Sequence, residues 1–491
     1  MKYNLRKAYH SMSSAVRSSI WFTLCNFLQR GAALITVPIF TRLLTKEEYG
    51  ICNIYFAWIE VFLMFTSLKI PYEGFNNGLI RYEEDKDGYT SSIMGLVMTM
   101  TLGYSAVYAL FHDAINRITG LSSFVMLLMF LHLIVQPPMM LWTNRERFDF
   151  RYRWPVIITL TSTILNPIIA VMAVLNTKYK AEARIISFVA VQVLFGVVVM
   201  IVLFARGKTF FRKDYWSFAL RFNLPLFFYY ISQSILNESD RIMINYFEGS
   251  GKAAIYSVAY SAATIMLILV SAVNGSFHPW MYKKLKAKQF SEIKHTAAVI
   301  CLLVAGATLA MSAFAPDLVR IMATKEYSQA IWIIPPVSAS VFFVFLYMTF
   351  ANVEMYYDGN KGIMVISVIC SVVNLILNAI FIPLYGYIAA GWTTLISYML
   401  LSLLHYLLMK RACKRNGVPE RIFPEKLLLL IAACVLMLSF VVLGMYRLGY
   451  FRYVILVLEA AVLWSLRTRL FHALQQMRKG VKENGESSAK N

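Results

Sequence analysis

The chain consists of long apolar runs separated by short polar connections. An α-helix needs about 20 apolar residues to cross the hydrocarbon core of a bilayer. Scanning at that length predicts fourteen spanning helices, at residues 18–40, 49–68, 91–111, 120–142, 154–176, 183–204, 216–239, 253–274, 295–314, 329–350, 362–384, 386–409, 427–446 and 449–466. We therefore expect an all-α polytopic membrane protein with about fourteen transmembrane helices.

Composition and charge agree with that class. Hydrophobic residues make up 59% of the 491 positions, charged residues make up 15%, and the mean hydropathy is +0.59. The net charge of +21 comes mostly from Lys and Arg in alternate short loops. Basic loops mark the cytoplasmic side of membrane proteins, so both termini are predicted to be cytoplasmic and no nucleic-acid partner is needed to explain the charge.

The connections and the cysteines argue against an enzyme. The longest connection, residues 69–90, is too short to fold as a soluble catalytic domain. The six cysteines form no CxxC pair, so the sequence predicts no metal site and no disulfide framework. A membrane polymerase of polysaccharide synthesis is a less favoured alternative, because the loops predicted outside the membrane are short.

Three pairs of segments recur in the same order in the two halves of the chain. TRLLTKEEYG, with Arg42, corresponds to DRIMINYFEGSG, with Arg241; NRERF corresponds to NVEMY; and ILNPII, with Asn166, corresponds to ILNAIF, with Asn378. These matches predict two pseudo-symmetric six-helix lobes, residues 1–205 and 206–412. Two further helices at 413–466 and a basic cytoplasmic tail at 467–491 follow.

Ionisable residues within the predicted spans are candidates for function. A charge at the centre of a bilayer costs about 2.5–3.5 kcal/mol on insertion scales, so such residues usually face a bundle interior or a wet cavity. Arg30 lies near the middle of the first helix on one face with Asn26, and Glu60 lies at similar depth in the second helix. We expect Arg30 and Glu60 to approach one another or to share a cavity; a structural ion pair between the two helices is the alternative.

The stretch SILNESDRIMINYF places a second polar group at the end of the predicted seventh helix. Asn237, Glu238 and Arg241 recur at three- and four-residue steps and can therefore share one helical face. The match between Arg241 and Arg42 favours a cavity-facing role. The alternative is a hydrated end at the level of the lipid head groups.

Several of these segments resemble a known family. FNLPLFFYYISQSILNESDRIMI, AIYSVAYSAATIMLILVSAVNGSFHPWMYKKL, NLILNAIFIPLYGYIAAGWTTLISY and TVPIFTRLLTKEEYG are similar to the Wzx-type polysaccharide flippases. These belong to the multidrug/oligosaccharidyl-lipid/polysaccharide (MOP) exporter superfamily. The resemblance implies the MATE-like fold, a V-shaped bundle of two lobes around a cationic cavity. It also assigns site roles to Asp240, Arg241, Arg42, Asn374 and Asn378.

The function implied by the resemblance is transfer of an undecaprenyl-diphosphate-linked oligosaccharide unit to the outer leaflet of the bacterial cytoplasmic membrane. The unit would serve O-antigen, capsule or exopolysaccharide assembly, with a polymerase and a chain-length regulator as possible partners. A multidrug exporter and a lipid II exporter are alternatives within the superfamily. No cofactor is expected, although transport can be coupled to a gradient of H⁺ or Na⁺.

The chemistry of the residues fits that substrate. An unaided diphosphate would face a desolvation cost of tens of kcal/mol in hydrocarbon, and arginine offers forked donors that stay charged. The candidate substrate-binding residues are Arg30, Arg42, Arg241, Asn26, Asn237, Asn166, Asn374 and Asn378. The candidate ion-coupling residues are Glu60, Asp240, Glu238 and Glu354.

Overall fold

The described part of the chain is helical throughout. The computed structural model describes residues 12–357, 361–418, 421–465 and 467–468, and these contain no β-strand. They form sixteen α-helices: α1 Ser14–Leu43, α2 Lys46–Ser67, α3 Glu73–Arg81, α4 Lys86–Thr119, α5 Ser123–Phe148, α6 Arg153–Leu175, α7 Lys180–Gly207, α8 Lys213–Glu248, α9 Ser250–Lys286, α10 Phe290–Ala313, α11 Ala315–Met322, α12 Ile334–Tyr357, α13 Lys361–Tyr385, α14 Ala389–Arg415, α15 Glu425–Met445 and α16 Tyr453–Ser465.

The helices confirm the predicted membrane class. Within the described residues, twelve helical runs are long and apolar enough to cross a membrane. One of them, Glu425–Ala461, joins the last two predicted spans through the 3₁₀ segment Tyr446–Arg452. Helix α8 is 36 residues long but is not among the twelve, because polar residues interrupt its apolar sequence. Counting α8 and separating α15 from α16 accounts for the fourteen predicted spans.

The motif TKEEYG between the first two spans is a helix start. Thr45 caps α2: its hydroxyl accepts from the Glu48 N–H at 3.2 Å, and the Glu48 carboxylate accepts from the Thr45 N–H at 2.8 Å. This reciprocal capping box satisfies two backbone donors that a helix otherwise leaves unpaired. The motif therefore has a local structural reason in addition to its place in the repeat.

The chain divides into two compact units between Ala254 and Ile255. In the first unit, α2 packs on α8, α7 packs on both α5 and α6, and α1 packs on α6. A buried core containing Phe75, Tyr89 and Tyr215 joins α3, α4 and α8. Helix α8 thus packs with the first unit, whereas the sequence repeat assigns it to the second lobe from residue 206. The sequence repeat compares the order of the helices, whereas the two units are defined by which helices pack together. The lobe boundary at residue 206 therefore stays a prediction.

The second unit is organised around α12. This helix is the most completely buried of the candidate spans, because 89% of the residues in its most apolar stretch are buried inside the protein. It packs on α14 and α10, while α13 packs on α14 and α15 packs on α10. Polar residues on α12, α13 and α14 are therefore held in helix–helix contacts of this unit.

Candidate functional site

The polar groups of α2 form an ion pair near the end of that helix. Lys69 Nζ lies 3.3 Å from Glu60 Oε2. Leu68 and Lys69 both adopt left-handed backbone conformations, with φ of 47° and 51°, so the chain turns sharply where α2 ends. This turn allows the Lys69 side chain to reach back along α2, and that side chain is only 12% exposed.

Glu60 forms no ion pair with Arg30 among the described residues, and the expectation that the two approach one another or share a cavity stays a prediction. The carboxylate of Glu60 pairs with Lys69 instead, while Arg30 and Asn26 lie on an exposed part of α1. The physical reason is distance along the chain: Lys69 follows Glu60 closely and its long stem is already directed toward the carboxylate. The substrate-binding roles of Arg30 and Asn26 stay predictions.

A second ion pair lies on α8, within the SILNESDRIMINYF stretch. Arg241 Nη1 is 3.2 Å from Glu238 Oε2, one helical turn away, and the two side chains are 16% and 14% exposed. The Glu238 carboxylate also interacts electrostatically with Glu60 and Lys69 of the first pair. The four residues Glu60, Lys69, Glu238 and Arg241 therefore form one polar cluster, which we call the α2–α8 cluster.

The neighbours of this cluster on α8 lie in different environments. Asp240 is buried, with 1% of its surface exposed. Asn237 is exposed, whereas Glu238 and Arg241 are partly buried. The helical spacing correctly grouped Glu238 with Arg241, and the roles of Asn237 and Asp240 stay predictions.

Two further arginines lie near the start of α2. Arg42 is exposed and donates to the Pro38 carbonyl, one turn earlier on α1, at 2.7 Å. Sequence reasoning missed Arg184 on α7. Its guanidinium lies 4.1 Å from the ring centre of Phe40 and 5.1 Å from that of Tyr49.

Arg184 is the clearest cation of this region. Its Nη1 is buried and has no hydrogen-bond partner among the described residues. Both Arg184 and Arg241 interact electrostatically with Tyr49, which is buried. Aromatic rings hold a cation through their π-faces while leaving its N–H groups available to another acceptor.

The two glutamates of the NRERF and NVEMY segments have corresponding partners. In the first unit, Glu146 on α5 pairs with Arg206 on α7 at 3.0 Å. In the second unit, Glu354 on α12 pairs with His405 on α14 at 3.1 Å, and both side chains are fully buried. Each pair joins the fourth and sixth predicted spans of its lobe, as expected from the repeat. The ion-coupling role of Glu354 stays a prediction.

The asparagines of the second unit lie inside a helix–helix contact. Asn374 and Asn378 are both completely buried on α13. Asn374 donates to the Ser397 hydroxyl at 3.3 Å, Asn378 donates to Asn374 at 3.3 Å, and Thr393 donates to Asn378. This ladder connects α13 to α14. Asn166, at the corresponding position of the first half, is half-buried on α6, and the substrate-binding roles of all three stay predictions.

The donor groups in the described residues do not assemble as a metal centre. No group of three or more His, Cys, Asp or Glu side chains in that part of the chain is arranged to hold a metal ion. The polar chemistry of the two units therefore consists of ion pairs, cation–π contacts and amide hydrogen bonds.

Comparison with known proteins identifies the family and the fold. A family model described as polysaccharide biosynthesis protein matches residues 15–285, which is more than half of the chain, and a MatE family model matches residues 225–380. No curated protein matches the chain by sequence.

Solved structures share the architecture at low sequence identity. The structure titled lipid II flippase MurJ, in an inward closed conformation, superposes with a TM-score of 0.66 at 17% identity, covering 92% of this chain and 99% of that chain. An inward-facing MATE-family multidrug resistance transporter of the MOP superfamily gives 0.57 at 11% identity, covering 78% and 98%. A MOP superfamily transporter from Pyrococcus furiosus, described as having a binding pocket of reversed polarity, gives 0.55 at 13% identity, covering 83% and 96%.

These likenesses establish the fold, and the family model extends over the first unit, including the α2–α8 cluster. The predicted fold class and the predicted resemblance are confirmed. The chain has the fold of the MOP superfamily transporters and belongs to the family described as polysaccharide biosynthesis protein.

Proposed function

We propose that the protein is a flippase for an undecaprenyl-diphosphate-linked oligosaccharide unit. It would move this unit from the cytoplasmic to the outer leaflet of the bacterial cytoplasmic membrane, for O-antigen, capsule or exopolysaccharide assembly. Both termini would be cytoplasmic, a polymerase and a chain-length regulator would act on the product, and the protein itself would catalyse no covalent step.

The observation that carries this proposal is the α2–α8 cluster. Lys69 and Arg241 are 12% and 16% exposed and are held by Glu60 and Glu238 on helices of a membrane-spanning unit. Ionisable groups at membrane depth are costly and mark substrate or ion paths. Family membership and the fold shared with a lipid II flippase support a lipid-linked substrate.

The ion pairs supply a mechanism for binding an anionic head group. A phosphate oxygen can take the place of a carboxylate oxygen beside Lys69 or Arg241, because both are charged acceptors of the same donors. Glu60 is 45% exposed and would gain water once displaced, whereas the displaced carboxylate of Glu238, at 14% exposed, would be left largely buried without its partner. Such a group gains a cation, H⁺ or Na⁺, to avoid the cost of an isolated buried charge. Substrate binding at Arg241 and ion binding at Glu238 would thus be linked.

The structural neighbours support two other substrates equally well. A lipid II exporter would use the cationic groups in the same way, since lipid II also carries a diphosphate. A multidrug exporter of organic cations would instead rely on Glu60 and Glu238. These alternatives differ in which half of each ion pair is needed for transport.

The test replaces the cations of the cluster and measures the lipid-linked intermediate. In the native host lacking the gene, Lys69→Gln/Arg241→Gln is expected to lower surface polysaccharide at least tenfold and to accumulate unflipped undecaprenyl-diphosphate-linked units. Each charge-assisted hydrogen bond is worth about 1.5–3 kcal/mol, so losing two is sufficient for this effect. Arg117→Gln/Lys178→Gln removes the same charge from exposed positions and serves as the control.

The outcomes separate the candidates. Wild-type surface polysaccharide in the Lys69→Gln/Arg241→Gln variant, at equal amounts of folded protein, would contradict the proposal. Accumulation of lipid II with unchanged polysaccharide intermediates would identify a lipid II exporter. Efflux of an organic cation such as ethidium, lost in Glu60→Gln/Glu238→Gln, would identify a multidrug exporter.

A further inference from the structure

The first unit contains a basic cleft lined by residues other than those of the α2–α8 cluster. It has a volume of about 690 Å³ and lies where α8 begins, beside the C-terminal end of α3. Its lining combines cations and aromatic rings, contributed by Arg81, Tyr82, Lys213, Asp214, Ser217, Phe218, Arg221 and Phe222.

Close packing of α3 fixes one wall of this cleft. A Cβ atom at Gly74 would lie 2.3 Å from the side-chain nitrogen of Asn223 on α8, and one at Gly78 would lie 2.0 Å from the Tyr89 hydroxyl on α4. Only glycine permits helices to approach so closely. The short helix is thereby held against both neighbours, and Arg81, its last residue, is positioned at the cleft.

Polar contacts fix the other wall, at the start of α8. The Tyr215 hydroxyl donates to Asp85 Oδ2 at 2.8 Å, and Arg212 Nη1 lies 3.3 Å from the same oxygen. The Tyr82 hydroxyl donates to the Asp214 carbonyl at 3.4 Å. The connection between α3 and α4 is therefore clamped to the first turn of α8, and the cleft is a built feature of the fold.

The cations of the cleft converge from two helices. Lys213, Ser217 and Arg221 follow one another at four-residue steps and so lie along one face of α8. Arg81 approaches from α3. Within the described part of the chain, no carboxylate lies within 4.0 Å of the charged nitrogens of Arg81, Lys213 or Arg221. They are therefore available to an external anion.

The acid and the aromatic rings of the cleft complete its chemistry. The Asp214 carboxylate lies 4.0 Å from Arg212, which partly neutralises the one acidic group of the lining. The Arg81 guanidinium lies 5.0 Å from the ring centre of Phe218 and 5.7 Å from that of Tyr82. Ring stacking holds the plane of the guanidinium while its N–H groups stay free to bind phosphate oxygens.

We propose that this cleft binds the phosphate or diphosphate head group of a long-chain lipid. Three cations facing one space of this size match the charge of a diphosphate, and the arginine forks match its oxygens. The aromatic side chains Phe218 and Phe222 provide an apolar surface for the first part of the ligand beyond the phosphate. The cleft acts as a loading site at the membrane surface, before the head group reaches the α2–α8 cluster; this role rests on the transport function proposed above.

The experiment measures binding to the purified full-length chain in detergent. It uses two probes, a polyprenyl diphosphate and inorganic pyrophosphate. Both are titrated by microscale thermophoresis in the Lys69→Gln/Arg241→Gln background, so that the α2–α8 cluster does not contribute. Adding Arg81→Gln/Arg221→Gln is expected to weaken binding at least tenfold, because two charged donors to the phosphate oxygens are lost.

A matched variant controls for the loss of charge. Arg151→Gln/Arg153→Gln removes two exposed positive charges from a loop predicted on the same side of the membrane. It is expected to change binding less than twofold. Unfolding temperatures within a few degrees of the parent show that all variants are folded. Binding of both probes supports recognition of the phosphates alone, and binding of the polyprenyl probe alone supports a lipid ligand.

Two results would overturn the inference. One is unchanged binding in the Arg81→Gln/Arg221→Gln variant, and the other is an equal loss in the Arg151→Gln/Arg153→Gln control. Failure here is distinguishable from failure of the proposed function. If the cleft variant binds normally while Lys69→Gln/Arg241→Gln blocks transfer in cells, the cleft is wrong and the transport function stands. If the cleft variant loses binding while Lys69→Gln/Arg241→Gln transports normally, the cleft binds the lipid head group and the proposed role of the α2–α8 cluster in transport is wrong.

Discussion

The buried pair of Glu354 and His405 should contribute more to stability than its counterpart in the first unit. The side chains of Glu354 and His405 are 3% and 1% exposed, and their charged or polar atoms lie 3.1 Å apart. Glu146 and Arg206 are 9% and 48% exposed, at 3.0 Å. The two ion-pair distances are alike, so the difference in burial determines how much each pair contributes to stability.

The magnitude follows from what remains after one partner is removed. In Glu354→Leu, the ring of His405 stays buried with Nδ1 unpaired, and Nε2 already has no partner among the described residues. A buried polar group without a partner costs about 1–3 kcal/mol, and breaking a buried ion pair costs about 3–5 kcal/mol. We therefore expect Glu354→Leu to lower the free energy of unfolding by about 2–4 kcal/mol. Glu146→Leu should cost about 1 kcal/mol or less, because the freed Arg206 is half-exposed and gains water.

A double replacement isolates the pair from the effect of changed volume. Glu354→Leu/His405→Phe removes both polar partners while keeping a ring that can stack on Tyr347, whose centroid lies 5.7 Å from that of His405. Replacing both members of a buried pair with apolar groups is often nearly neutral. The double variant should therefore be more stable than the Glu354→Leu single variant by about 2 kcal/mol.

The assay is equilibrium unfolding of the purified protein in mixed micelles of detergent and SDS, followed by far-UV circular dichroism. The wild type, Glu354→Leu, His405→Phe and the double variant form a double-mutant cycle. Additive losses, with the double variant as unstable as the sum of the singles, would refute a coupled pair. Equal losses in Glu354→Leu and Glu146→Leu would refute the role assigned to burial.

Three further changes test other parts of the fold. Gly50→Ala should lower the free energy of unfolding by about 1–3 kcal/mol in the same assay, because its Cβ would lie 2.0 Å from the Ser250 carbonyl oxygen; Gly31→Ala, which meets nothing within 4 Å, should not destabilise. Asn378→Ala should cost about 1–3 kcal/mol and leave transfer per folded molecule unchanged, whereas a specific loss of transfer would show a substrate contact. Arg184→Gln should cost about 0.5–2 kcal/mol through its lost cation–π contacts, measured by unfolding, and no change would contradict them.

The helices could be predicted because membrane-spanning helices need long apolar runs, and the chain has such runs at regular intervals. The ends of the helices were harder to predict from the sequence. Helix α8 continues to Glu248, whereas the sequence predicted an end at 239. The polar residues near that point were interpreted as the end of the span. They instead lie along the side of a continuing helix, where Glu238 and Arg241 face the polar groups of α2.

The partners of the polar side chains were harder to predict than the helices. The Lys69 contact to Glu60 depends on two left-handed residues at the end of α2, which helical periodicity does not encode. Arg184 packs against rings of α1 and α2, which lie more than a hundred residues earlier in the chain, so the sequence around residue 184 does not predict this contact. The repeated motif identified Asn378 as a notable polar residue. A polar residue in a span looks the same in sequence whether it lines a cavity or joins two helices, so the motif did not predict which of the two applies.

The difference in burial between the two units has a functional consequence. A ligand can exchange with the partly exposed ion pairs of the α2–α8 cluster without separating helices. Exchange at Glu354 or Asn378 would require α14 to move away from α12 or α13, since both side chains are completely enclosed by those helices. Opening such a contact exposes buried apolar surface at about 25 cal/mol per Å² as well as polar groups. We therefore expect substitutions in the α2–α8 cluster to change the rate of transfer at constant stability. Substitutions at Glu354 and Asn378 should change stability first, and should change transfer only as far as the second unit opens during the cycle.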